Sequence, residues 1–147
     1  MTTNLCYGIP DVTLRCVGGG QINPSAFAGH ELVVFFCPSS SSAAASEIEA
    51  YAARAKAFVD GGAWLIGVLS GEAAAKSGGN LGDTGIKLAE DTDGAAWEVF
   101  EELLKTSERT EEVEGGAFLF ERGGCLAKAW AGTGHAENAL NELQRSA

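Results

Sequence analysis

Residues Leu32–Phe36 read LVVFF, apolar without a break, and a strand of that kind is covered on both faces rather than on one. The run leads through Cys37 and Pro38 into Ser39–Ser42 and then Ala43-Ala44-Ala45-Ser46, after which the spacing becomes helical. Ala44, Ile48, Tyr51, Ala52, Ala55, Phe58 and Val59 fall on one face of a helix starting near Ser42, with Glu47, Glu49, Arg54 and Lys56 off it. Gly61-Gly62 ends that helix, and Ala63–Leu69, AWLIGVL, is a second apolar run. Two buried strands joined through one helix are predicted to lie parallel and adjacent in mid-sheet, with a right-handed crossover.

The rest of the chain adds to this βαβ unit. Asp11–Cys16 alternates with period two before Gly18–Gly20, and Ile22 begins a partner, which predicts an N-terminal hairpin. Pro24–Phe27 reads as one helical turn with Pro near its first position. Ile86–Ala89 is a short strand, and Asp91–Gly94 offers a cap to a helix carrying Ala96, Trp97, Phe100, Leu103 and Leu104. Ala117–Glu121 and Cys125–Trp130 flank Arg122-Gly123-Gly124, a hairpin signal that extends the sheet antiparallel. Ala136, Ala139, Leu140 and Leu143 close the chain with an amphipathic helix. Ser70–Lys76 allows a short helix, Ser77–Gly85 reads as a loop, and Thr106–Glu114 as a charged, solvated connection.

At 147 residues the chain has the length of one domain with a real core. Twenty acidic against ten basic residues give a net charge of −10, which repels nucleic acid and anionic membrane and excludes both as partners. The N-terminus has no leader pattern and no apolar run approaches the ~20 residues that cross a bilayer, so a cytoplasmic protein with mostly reduced thiols is expected. Cysteines stand at 6, 16, 37 and 125 without a CxxC pair, and His30 and His135 are the only histidines. No metal site and no cofactor are expected from that inventory.

The order of elements is that of a thioredoxin-like α/β fold, a central mixed sheet flanked by helices, with an N-terminal β-hairpin extension. At the level of residues the chain resembles a peroxiredoxin, of the small bacterioferritin-comigratory type. GIPDVTL at 8–14 and SAFAGHELVVFFCP at 25–38 are similar to the family's opening segments, the second to F-x-G-K-x-V-V-L-x-F-Y-P. GAWLIGVLSGE at 62–72, LAEDTDGAAWEVF at 88–100, AFLFERGGCLAKAW at 117–130 and GHAENALNEL at 134–143 follow in the family's order. The resemblance covers almost the whole chain and implies one domain over 1–147, thiol redox or antioxidant chemistry, and a peroxide and a thiol reductant as partners. It is compatible with monomers, and a homodimer is expected.

The family's chemistry rests on P-x-x-x-T-x-x-C and on an arginine just before the T-F-L-I strand. Counted from Pro38, the threonine position is Ser42 and the cysteine position is Ala45, while the arginine position falls at Gly115 or Gly116. The resemblance therefore implies that the thiolate nucleophile and its cation are both absent. Cys37 is the nearest thiol, and two readings stay open for it: a small apolar residue buried among LVVFF, or a nucleophile facing the N–H groups that open the helix. Pro38, Ser39, Ser40 and Ser41 likewise read either as a hydrophilic corner whose last serine caps the helix, or as a pocket for an anion or peptide. Cys6 reads as a thiol in a flexible segment, Cys16 as a strand residue and Cys125 as structural. His30 and His135 are expected at surface or capping positions, and Asp91/Asp93 and Glu101/Glu102 as solvated helix-end charge. Two functions follow: a divergent thiol-dependent oxidoreductase using Cys37, or a non-catalytic thioredoxin-fold binding protein using the Ser-rich helix N-terminus.

Overall fold

The computed structural model describes residues 7–16, 20–37, 41–70, 86–91, 94–106 and 115–146, without the side chains of 41–44, 70, 105, 106 and 146. The segments 71–85 and 107–114, with their expected short helix, loop and charged connection, lie outside the described residues. The strands are β1 (Leu14–Cys16), β2 (Gln21–Ile22), β3 (Glu31–Phe36), β4 (Ala63–Ser70), β5 (Ile86–Asp91), β6 (Gly116–Phe120) and β7 (Leu126–Ala131). The helices are α1 (Ser41–Ala52), α2 (Ala55–Asp60), α3 (Ala95–Thr106) and α4 (Ala136–Ser146), and Pro24–Phe27 forms a 3-10 turn. The sheet runs β2-β1-β5-β4-β3-β6-β7.

The apolar run at Leu32–Phe36 occupies the position its composition requires. β3 pairs in parallel with β4, Val33 opposite Leu65, and antiparallel with β6, Val33 opposite Leu119. Its alternate residues feed two cores. Val33 and Phe35 pack with Ile48, Tyr51, Phe58 and Leu143, under α1, α2 and α4. Leu32, Val34 and Phe36 pack on the other face with Phe100, Leu103 and Leu104 of α3. With both faces covered, each large side chain of β3 contributes roughly 1.5–3 kcal/mol of burial. Gly67 of β4 is tied to the same core, because a Cβ there would stand 2.6 Å from Phe35 Cζ. The predicted parallel adjacency of Leu32–Phe36 and Ala63–Leu69 is present, as are the N-terminal hairpin and the antiparallel β6–β7 extension.

The long helix expected from Ser42 to Val59 is two helices. Arg54 leaves helical geometry, at φ −112° and ψ 5°, and its amide bonds back to Tyr51 O in a tight three-residue step. Its guanidinium takes the Ala50 carbonyl at 2.9 Å, closing the break from the side. The step rotates the following turn, so that Phe58 stays buried while Val59, expected on the buried face, is 55 % exposed. Glu47 departs the other way: expected on the solvent side, it is 4 % exposed. Asp91 is also buried rather than solvated, since its carboxylate accepts from the Ala96 and Trp97 amides and so caps α3 from the end of β5.

Candidate functional site: the corner between β3 and α1

Cys37 continues the β3 ladder, its amide donating to Val68 O at 2.9 Å, and its side chain joins the core with Phe35, Tyr51 and Leu69. Burial, and secondarily the negative charge of Glu47, push its thiol up to about 12. Such a group stays protonated at neutral pH. Ala45 lies in the first half of α1 and is exposed. Ser41 and Ser42 open α1, with side chains outside the described set, and Pro38, Ser39 and Ser40 lie wholly outside the described residues.

The two glycines expected at the family's arginine position, Gly115 and Gly116, are crowded by the backbone around them. Gly115 has φ +88°, and a Cβ there would stand 2.7 Å from Phe36 O. A Cβ on Gly116 would stand 3.0 Å from Trp130 O, with Leu104 and Trp97 at 3.5 Å. Restoring an arginine at either position therefore needs the backbone to move, which sequence alignment alone does not reveal.

Around Cys37 the fold gathers groups that sequence reasoning missed. Glu47 and Tyr51 are four apart on α1 and both face inward. Glu47 Oε1 accepts from the Gly134 amide at 3.1 Å, whereas Oε2 is buried without a partner. Burial raises the Glu47 pKa, against the opposing pull of the Gly134 hydrogen bond and of His135. Tyr51 is fully buried and stacked on Phe35, ring centroids 3.8 Å apart, yet its hydroxyl has no partner. Its pKa is raised by burial, then by Glu47 and Cys37. The signal available in the sequence was the i, i+4 spacing of Glu47 and Tyr51 around the apolar Ile48.

His135 precedes α4, where its carbonyl accepts from Ala139 N. Its Nε2 lies 2.8 Å from Ala131 O and its Nδ1 3.0 Å from Asn138 Nδ2. This is a capping environment, as expected. His30 is exposed, edge-on to Trp64. Cys16 is a free, half-buried thiol in β1. Two open clefts of about 500 Å³ each lie beside Glu31 and Arg122 and beside Arg15 and Glu90, and no cysteine is among the described residues that line them. Among the described residues no group of three or more His, Cys, Asp or Glu is placed to hold a metal ion, and no helix is long and apolar enough to cross a membrane.

The model of the AhpC/TSA family matches residues 7–110. Among solved structures, peroxiredoxin Q of Xanthomonas campestris is similar at 27% identity and TM-score 0.72, over 92% of each chain. The bacterioferritin comigratory protein of Xanthomonas campestris, described by its alkyl peroxide reduction activity, is similar at 27% identity and TM-score 0.72, over 92% of this chain and 90% of that one. The mitochondrial 2-Cys peroxiredoxin of Plasmodium falciparum shares the fold at TM-score 0.74 and 14% identity, over 97% of this chain and 94% of that one. Among curated proteins no relative matches.

Proposed function

This chain belongs to the AhpC/TSA family, and from that premise we propose that it is a peroxiredoxin-like protein which does not run the family's thiol peroxidase cycle at the corner between β3 and α1. One observation carries the reading: an exposed alanine, Ala45, occupies the expected nucleophile position, while the nearest thiol, Cys37, is buried and held protonated. A peroxidase needs a thiolate and a cation on the same reacting oxygens. The expected arginine position holds Gly115, where a Cβ would stand 2.7 Å from Phe36 O at a left-handed φ, or Gly116, where it would press on Trp130 O at 3.0 Å. On this reading the peroxide and thiol reductant suggested by the family are not turned over at this corner.

The working role is that of a thioredoxin-fold binding protein, with Pro38, Ser39, Ser40 and Ser41 as its candidate binding residues. We take residues 1–147 as a single cytoplasmic domain that forms a homodimer. The test is peroxide consumption by the whole protein, with hydrogen peroxide and an alkyl hydroperoxide as substrates and dithiothreitol as reductant. Consumption at the rate of reductant alone is expected. A rate well above that background, lost in Cys37→Ser, would overturn the reading in favour of a displaced thiol site.

A further inference from the structure

Among the described residues the core holds two buried carboxylates, and they are not alike. Asp91 has both oxygens engaged, Oδ1 by Ala96 N at 3.1 Å and Oδ2 by Trp97 N at 2.9 Å. Glu47 has one engaged: Oε1 accepts from Gly134 N, and Oε2 is buried without a partner. The bond crosses a seam between two helices. Glu47 stands in the middle of α1, whereas Gly134, at φ +82°, lies in the turn out of β7. His135 after it supplies the carbonyl that takes the Ala139 amide of α4 at 2.8 Å. Holding Gly134 therefore holds the entry of α4 against α1.

A carboxylate with a single hydrogen bond, shut away from water, is disfavoured as an anion. The groups around Glu47 leave that balance in place. Cys37 at the end of β3 and Tyr51 one turn on in α1 are acids held protonated, by burial first and by the Glu47 charge second, and neither offers a cation. The Gly134 hydrogen bond and His135, at the entry of α4, both favour the anion, but burial outweighs them and the Glu47 pKa stays raised. The remaining charges on the two helices are placed elsewhere: Glu49 and Glu137 are exposed, and Glu142 lies beside Lys128 and Arg145.

We propose that Glu47 is a pH-sensitive latch: as a neutral acid it keeps the entry of α4 closed on α1, and its ionisation opens the seam to water. In the open form the carboxyl is solvated and titrates as an ordinary glutamate, at about 4.3. The closed form binds the proton more tightly, so closure is fully favoured below that value and is lost as pH rises through the closed-form pKa. By linkage the opening equilibrium grows about tenfold for every pH unit that separates the two pKa values. The opening is confined to the turn and the first residues of α4, because Leu143, further along the helix, belongs to the same apolar cluster as Phe58 and Leu65. Gly134 and Ala139 then lose the bonds that define the entry, while β3 at the centre of the sheet keeps its own.

The experiment is amide hydrogen exchange on the whole protein, read by NMR from pH 5 to pH 8 and corrected for the intrinsic exchange rate at each pH. Protection of the Gly134 and Ala139 amides is expected to fall roughly tenfold over that range. It should level off above the pH at which the Glu47 side-chain carbonyl carbon titrates. Both amides should stay far less protected than Val34 in the core, the mark of a local opening. In Glu47→Gln their protection should not change with pH. A pH response that persists in Glu47→Gln, protection at Gly134 that rises as Glu47 ionises, or exchange of Gly134 and Ala139 no faster than that of Val34 would each overturn the proposal.

Discussion

Glu47 on α1 accepts a hydrogen bond from the amide of Gly134, 3.1 Å away and 87 positions later in the chain. The contact joins the middle of α1 to the entry of α4, and it draws a carboxylate towards the apolar cluster that holds Phe35, Ile48 and Tyr51. One oxygen is satisfied by the contact and the other is not. The first predictions follow from that asymmetry.

Glu47 has a native pKa raised by burial. The native state therefore holds the proton more tightly than the unfolded chain, whose glutamates titrate near ~4.3. The associated stability is fully present below that value and is lost as pH rises through the native pKa. Glu47→Gln keeps an acceptor for Gly134 and removes the charge. It should unfold at higher urea than the parent at pH 7.5, by about 1 kcal/mol, near the low end of the cost of an unpaired buried polar atom. The difference should shrink towards pH 4. A gain that does not change with pH would show that the charge is not its source.

Tyr51→Phe deletes a buried hydroxyl without a partner while keeping the stack on Phe35. Its stability by thermal denaturation should equal or exceed that of the parent. Tyr51→Ala empties a fully buried site and should cost about 3–5 kcal/mol. A loss above ~1 kcal/mol in Tyr51→Phe would mean that the hydroxyl is hydrogen-bonded in solution.

Gly115→Arg places a side chain at φ +88° against Phe36 O. Backbone strain alone should cost about 1–3 kcal/mol, and the close approach adds to it. Combined with Ala45→Cys, it should lower stability without creating a peroxidase. Denaturation midpoints and stopped-flow peroxide reduction of the singles and the double variant check this. A stable, rapidly reacting double variant would show that the loop around Gly115 accommodates the cation.

The elements written in continuous or strictly periodic apolar residues were legible before the structure. LVVFF and AWLIGVL are strands as expected, covered but for the exposed Trp64, Arg122-Gly123-Gly124 turns a hairpin, and Ala136, Ala139 and Leu143 do bury one face of α4. Local pattern failed where a distant partner decides burial. Nothing near Glu47 announces the Gly134 amide, and Asp91 is buried because it caps a helix that begins four residues on. The break at Arg54 carries no Gly or Pro to mark it. At the corner itself, the resemblance leads to the expectation that Ala45 and Gly115 or Gly116 stand where the family has its cysteine and arginine. The depth at which Cys37 lies was not legible, because LVVFFC places equally well a thiol facing the core and one facing the helix N-terminus.

The most direct test of the central claim is the reactivity of each thiol in the native protein, read by mass spectrometry after brief exposure to a small thiol reagent or to dilute peroxide at pH 7.5. Cys37, held near 12 and 8 % exposed, should label orders of magnitude more slowly than the half-buried Cys16 and should form no sulfenic acid with peroxide. Rapid labelling of Cys37, or its conversion to a sulfenic acid within seconds, would contradict the account and place a working peroxidatic thiol at the end of β3.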